Sequence, residues 1–158
     1  MPDPVVSPSD CPPHLRVVEQ VPMAHVADVG RSARFYALLG FACESRFADD
    51  RGVTNWCALV SHRARLFLAR SSGRIAAGEQ AVLFYLYSPD VRGLREHLLA
   101  HGVADAGPIP WEEGSRPSER ALPDGPAAFE VVPRFYMPLG ELRVHDPDGY
   151  VLLVGQRG

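Results

Sequence analysis

The side chains able to do chemistry are scattered along this chain, and few of them stand at spacings that would act together. His25 follows Val21 and Met23 at alternate positions, so a strand there would set one imidazole on an otherwise apolar face. His97 and His101 stand four apart, the spacing of a helical metal pair. Without a third donor they read as solvated surface residues, and the lone His25 reads as a hydrogen-bonding pocket residue rather than a ligand. Glu141, Arg143 and His145 alternate along one run and suggest a polar strip, either at a cavity mouth or at a dimer contact. Cys11, Cys43 and Cys57 are odd in number and have no metal-like spacing, as free thiols in a reducing cytosol would. No Ser or Cys nucleophile is tied by sequence to a base, and no Gly-rich phosphate loop is present. What remains is aromatic and soft: Trp56, Tyr85, Tyr87, Trp111, Tyr136 and Met137.

The elements that must position these residues come in duplicate. Asp28-Val29 with Gly40-Phe41 returns 62 positions on as Asp90-Val91 with Gly102-Val103. Each Asp is an N-cap candidate and each Gly a C′ stop, with a helix-length segment between them. Val29, Ala33 and Tyr36 form an apolar stripe in the first helix; Val91, Leu94 and Leu98 do so in the second. An apolar run precedes each helix, over about 17–26 and 81–87, and Pro22 marks an edge or a strand start. Alternation sets Val21, Met23 and His25 on one face, with Pro22, Ala24 and Val26 on the other, under the helix. The same rule aligns Leu83, Tyr85 and Tyr87. These walls either line a cavity or fill a core; Trp56 stacks on a planar ligand or packs inside. Strands near 41–47, 53–60 and 64–69 and a final hairpin around Asp146-Pro147-Asp148-Gly149 complete the pattern.

At 158 residues the chain suits one compact domain, and 22% charged residues with a net charge of −3 make phosphate-backbone binding an unpromising function. The longest apolar runs are strand-sized, so neither nucleic acid nor membrane is an expected partner, and the N-terminus lacks a signal-peptide pattern. A proline-rich arm spans 1–14, and a second proline-rich stretch, about 106–138, interrupts the symmetry between a first half of about 15–72 and a second of about 80–158. Trp111, with Tyr136 and Met137 near the far end, would make this stretch a lid over an apolar ligand; unstructured decoration is the alternative.

Asp28-Val29-x-x-Ser32-x-x-Phe35-Tyr36-x-x-Leu39-Gly40-Phe41, with Gly140-Glu141-Leu142-Arg143-Val144 and Asp146-Pro147-Asp148-Gly149 far downstream, resembles the vicinal oxygen chelate superfamily. That group holds glyoxalase I, fosfomycin-modifying enzymes, extradiol dioxygenases and bleomycin-resistance proteins. The resemblance implies an α+β fold of two βαβββ modules curled around a shared cavity, commonly in a homodimer. In the superfamily's metal enzymes one ligand lies seven residues before the helix-starting Asp, and another four after the turn Gly. Those positions hold Val21, Leu83 and Leu153, which have no lone pair to offer a cation. The resemblance is therefore closest to the metal-free bleomycin-resistance subgroup.

The expected function is that of a cytoplasmic, metal-free protein binding an antibiotic-like or aromatic metabolite, with sequestration as its route to drug resistance and no cofactor. Met23, His25, Trp56, Leu83, Tyr85, Tyr87, Met137 and Leu153 form the expected cavity wall. Two alternatives stand beside it: an enzyme of the superfamily with a non-standard metal site using His25 and Glu141, and a scaffold with a closed cavity.

Overall fold

Local signals build both helices in the same way. In the computed structural model, which describes residues 12–77, 83–109 and 124–157, α1 covers Val29–Leu38 and α2 covers Val91–Ala100. The Asp28 carboxylate accepts the Arg31 amide at 2.8 Å, and Asp90 accepts that of Gly93 at 2.9 Å. Each helix ends on a glycine at positive φ, Gly40 at 83° and Gly102 at 88°. The Phe41 amide then reaches the Tyr36 carbonyl and the Gly40 amide that of Ala37. Val103 to Leu98 and Gly102 to Leu99 repeat the pattern. These are paired Schellman closures, which satisfy carbonyls the helix leaves open.

The strands form two mixed sheets, neither of them closed. In the first, β1 (Met23–Val26), β2 (Ala42–Ala48), β3 (Thr54–Ser61) and β4 (Ala64–Arg70) lie in the order β1-β4-β3-β2, with β1 parallel to β4. The second contains β5 (Phe84–Ser88), β6 (Ala104–Gly107), β7 (Ala127–Phe129), β8 (Val132–Arg134), β9 (Met137–His145) and β10 (Val151–Gln156). Its order is β5-β10-β9-β7-β6, with β8 on β9 and β5 parallel to β10. The run expected as strand from residue 17 is strand only from Met23. Val17 and Val18 are exposed, and Pro22 offers only its carbonyl, to the Phe67 amide. The stretch read as an insertion carries β7 and β8, short strands that proline-rich composition hides. Residues 1–11, most of the expected arm, and Trp111 of the expected lid lie outside the described residues.

One face of each sheet is covered by its helix. Ala24, Val26, Cys57, Leu59, Leu66 and Leu68 pack with Val29, Phe35 and Tyr36, while Leu142, Val144, Leu152 and Val154 pack with Val91 and Leu98; all share one core. A polar joint ties the two sheets together. The buried Tyr36 hydroxyl donates to Asp146 Oδ2 at 3.1 Å, and Asp146 Oδ1 accepts the amides of Asp148 and Tyr150, each at 2.9 Å. Asp148 in turn accepts from the Ala27 amide, Arg31 and the Ser32 hydroxyl at the start of α1. The Asp-Pro-Asp-Gly turn of the second sheet is thus fastened to the first turns of the first helix. Tyr36→Phe removes one donor from a buried carboxylate and should lower stability by about 1–3 kcal/mol. Urea unfolding with an unchanged m-value would show it; unaltered stability would mean the joint carries no energy.

Candidate functional site

The faces without helices hold the residues of interest. Across the first sheet, register places Met23 beside Phe67 and Ala58, and His25 in a row with Ala69, Trp56 and Phe47. Trp56 is half-buried and tilted onto Phe67, ring centroids 5.0 Å apart, while Met23 and Phe47 are exposed. His25 is exposed, and its carbonyl accepts the Tyr150 hydroxyl at 2.9 Å.

The second sheet carries the other half of the expected wall. Tyr85, Leu153 and Arg143 form one row across β5, β10 and β9; Tyr87, Gly155 and Glu141 form the next. Gly155 makes room between them, since a Cβ there would lie 2.6 Å from the Met137 methyl and 3.0 Å from the Tyr85 hydroxyl. Through that gap Tyr85 reaches over β10 and donates to Glu141 Oε2 at 2.7 Å, the length of a charge-assisted bond. The Tyr136 hydroxyl lies 3.4 Å from Glu141 Oε1 and Arg134 Nε lies 3.5 Å from the same oxygen. A carboxylate only 5% exposed is thereby compensated. Burial, together with the Glu141 partner, raises the Tyr85 pKa, so this hydroxyl stays a donor throughout the physiological range.

Structure therefore brings Tyr85, Tyr87, Met137 and Leu153 together on one sheet and Met23, His25 and Trp56 on the other. Leu83, just before β5, is exposed. Tyr136 stands at the β8–β9 turn beside the exposed Phe135. Glu141, read as part of a polar strip, is the buried centre of the second face, and Arg134 and Gly155 join it. Only their cross-strand neighbours reveal these roles. A groove of about 670 Å³ runs along β5 between Tyr85, Tyr87 and the β3–β4 turn, and one of about 440 Å³ continues past Leu83. Met23, His25 and Trp56 do not border either.

Chemically the site offers aromatic faces and hydrogen bonds. Among the described residues no three His, Cys, Asp or Glu side chains gather as a metal would need, and His25 and Glu141 lie on different sheets. His97 and His101 are exposed, their rings 4.2 Å apart. No described helix is long and apolar enough to cross a membrane. Burial lowers the Cys57 thiol's acidity, its pKa raised to about 11. Burial also lowers the Arg143 pKa, with Arg134 adding to the effect and Glu141 opposing it.

The sequence matches no protein-family model and no curated protein. In structure it is similar to a bleomycin-binding protein complexed with bleomycin, at TM-score 0.61 and 17% identity over 90% of this chain and 100% of that one. A bleomycin-binding protein from bleomycin-producing Streptomyces verticillus, complexed with copper(II)-bleomycin, gives 0.61 and 21% over 90% and 98%. A bleomycin resistance determinant encoded on the transposon Tn5 gives 0.60 and 17% over 89% and 98%. At these identities the likeness is one of fold.

Two neighbouring groups, His145 at the end of β9 and Asp146 in the joint that follows it, oppose each other in acid. Burial, then the Arg143 charge, pushes His145 down to about 4, while burial pushes Asp146 up to about 6 against its three hydrogen-bond donors. On acidification the unfolded chain protonates its histidine first, so the His145 contribution is lost as pH falls from about 6.5 to 4. Folded Asp146 takes its proton first, so its contribution grows as pH falls from about 6 to 4. Each amounts to roughly 3 kcal/mol, and they nearly cancel. His145→Gln removes one arm. The variant should therefore gain stability relative to wild type by roughly 3 kcal/mol between pH 6.5 and 4. Urea titrations at both pH values check this, and a constant difference would refute a neutral buried His145.

Proposed function

We propose that this chain is a metal-free small-molecule binding protein that acts by sequestering a drug-like aromatic ligand. The carrying observation is where the apolar surface lies. On the faces opposite the helices, Met23 and Phe47 on one sheet and Tyr85 and Tyr87 on the other are exposed rather than packed away. Exposed apolar surface of this kind, with a few fixed polar groups, marks a ligand or partner site. The likeness in fold to bleomycin-binding proteins supports the same reading. So do Val21, Leu83 and Leu153 at the superfamily's ligand positions.

In this reading the two sheets are tandem βαβββ modules, the second enlarged by extra short strands. The protein works as a homodimer, a second copy closing over the faces that one chain leaves open. Binding needs no bond rearrangement: a Kd of about 1 μM, roughly −8 kcal/mol, is within reach of ring stacking and apolar burial.

Titrating metal-free bleomycin and a panel of planar antibiotics against tryptophan fluorescence should give one saturable change. Trp56→Leu should weaken that ligand about tenfold, the loss of one aromatic anchor. No saturation with any planar compound, by fluorescence or calorimetry, would refute the reading. Stoichiometric metal in protein purified without chelator would refute its metal-free part.

A further inference from the structure

Arg157 lies at the end of β10, two residues beyond Gly155, and Gly155 is the register partner of Tyr87. Its guanidinium carbon sits 3.4 Å from the centroid of the Tyr87 ring, the contact distance of flat groups stacked face to face. The residue before it is fixed from the other side of the sheet: the Gln156 side-chain oxygen accepts the Val91 amide at 3.1 Å, at the start of α2. The strand end is therefore anchored while the next side chain folds onto an aromatic ring. Tyr87 remains half exposed and borders the larger groove. Tyr85, 5.3 Å away, donates a hydrogen bond to Glu141, so the neighbouring ring belongs to a phenol bonded to a carboxylate and adds negative potential.

We infer that the Tyr87 ring face is a subsite for a planar cation, such as a guanidinium, an amidinium or a protonated amino-heteroaromatic ring, and that Arg157 is its tethered occupant. This rests on the small-molecule reading above and adds to it the charge and shape of the group that docks there. A ligand carrying such a group displaces Arg157 and continues into the groove along β5. Because the competitor is part of the chain, every ligand that sets a cation on this ring meets the cost of displacing it, whereas a neutral ring system has no charge to gain there, stays in the groove along β5 and leaves Arg157 in place. A cation on an aromatic face at an exposed site gives an advantage of about two- to fivefold. Arg157→Lys keeps the charge and loses the planar stack.

The test is calorimetric titration of proflavine, a planar cation, and acridone, a neutral ring system of similar shape, against wild type and variants. Arg157→Ala should tighten proflavine about two- to fivefold and leave acridone nearly unchanged. Arg157→Lys should release most of the same gain. Tyr87→Leu should weaken proflavine and abolish the effect of Arg157→Ala, whereas Tyr87→Phe should preserve it and serve as the folding control. Equal tightening of both probes would overturn the assignment, leaving Arg157 a mere cover. An Arg157→Ala effect that survives in Tyr87→Leu, or no effect at all while both probes bind, would overturn it too. If neither probe nor any planar drug binds any variant, the small-molecule reading itself falls and this inference with it.

Discussion

The tyrosine and two aspartates at the junction of the sheets set the geometry on which everything else depends. Asp146 is buried and would be costly alone, yet Tyr36 and two amides of its own turn answer it, and Asp148 reaches the first turn of α1. Apolar contacts alone would allow the sheets to slide, since dispersion and burial have little direction. Hydrogen bonds with fixed donors and acceptors do not. With the turn held against α1, Tyr150 meets the carbonyl of His25, and β5 comes to lie along the β3–β4 turn. The groove beside Tyr85 and Tyr87 follows from that placement.

The same arrangement explains why the faces opposite the helices are left for other uses. Each helix needs only one face of its sheet to bury its apolar stripe. In the first sheet, side chains of alternate parity therefore emerge on a surface rich in ring and thioether groups. In the second, one buried carboxylate organises the surface, with Tyr85, Tyr136 and Arg134 as its partners. An aromatic wall braced in this way presents rings in fixed orientation, which lowers the ordering cost a ligand would meet. The Arg157 stack on Tyr87 is a feature of that wall rather than of the core.

Much of the site was legible in part. Alternation separated Ala24 and Val26, which are buried, from Met23 and His25, which are exposed. It also aligned Tyr85 with Tyr87. It could not rank Glu141 above Arg143 or His145, because all three share a parity. Glu141 becomes the centre only through Tyr85, 56 residues earlier, and through the gap at Gly155. Likewise the proline-rich stretch gave no periodicity from which β7 and β8 could be read, as strands of three residues are too short to show one.

By itself the sequence determined what is local: the capping Asp28 and Asp90, the stops at Gly40 and Gly102, the strand parity, the turn at Asp146–Gly149 and the lack of donor atoms at Val21, Leu83 and Leu153. Each of these depends on backbone dihedrals or side-chain chemistry within a few residues. Tertiary structure decided the rest: that Tyr36 meets Asp146 across 110 positions, that Glu141 is buried and partnered, and that Arg157 covers Tyr87. Those outcomes depend on which strands become neighbours and in what register, and no local pattern of residues carries that information.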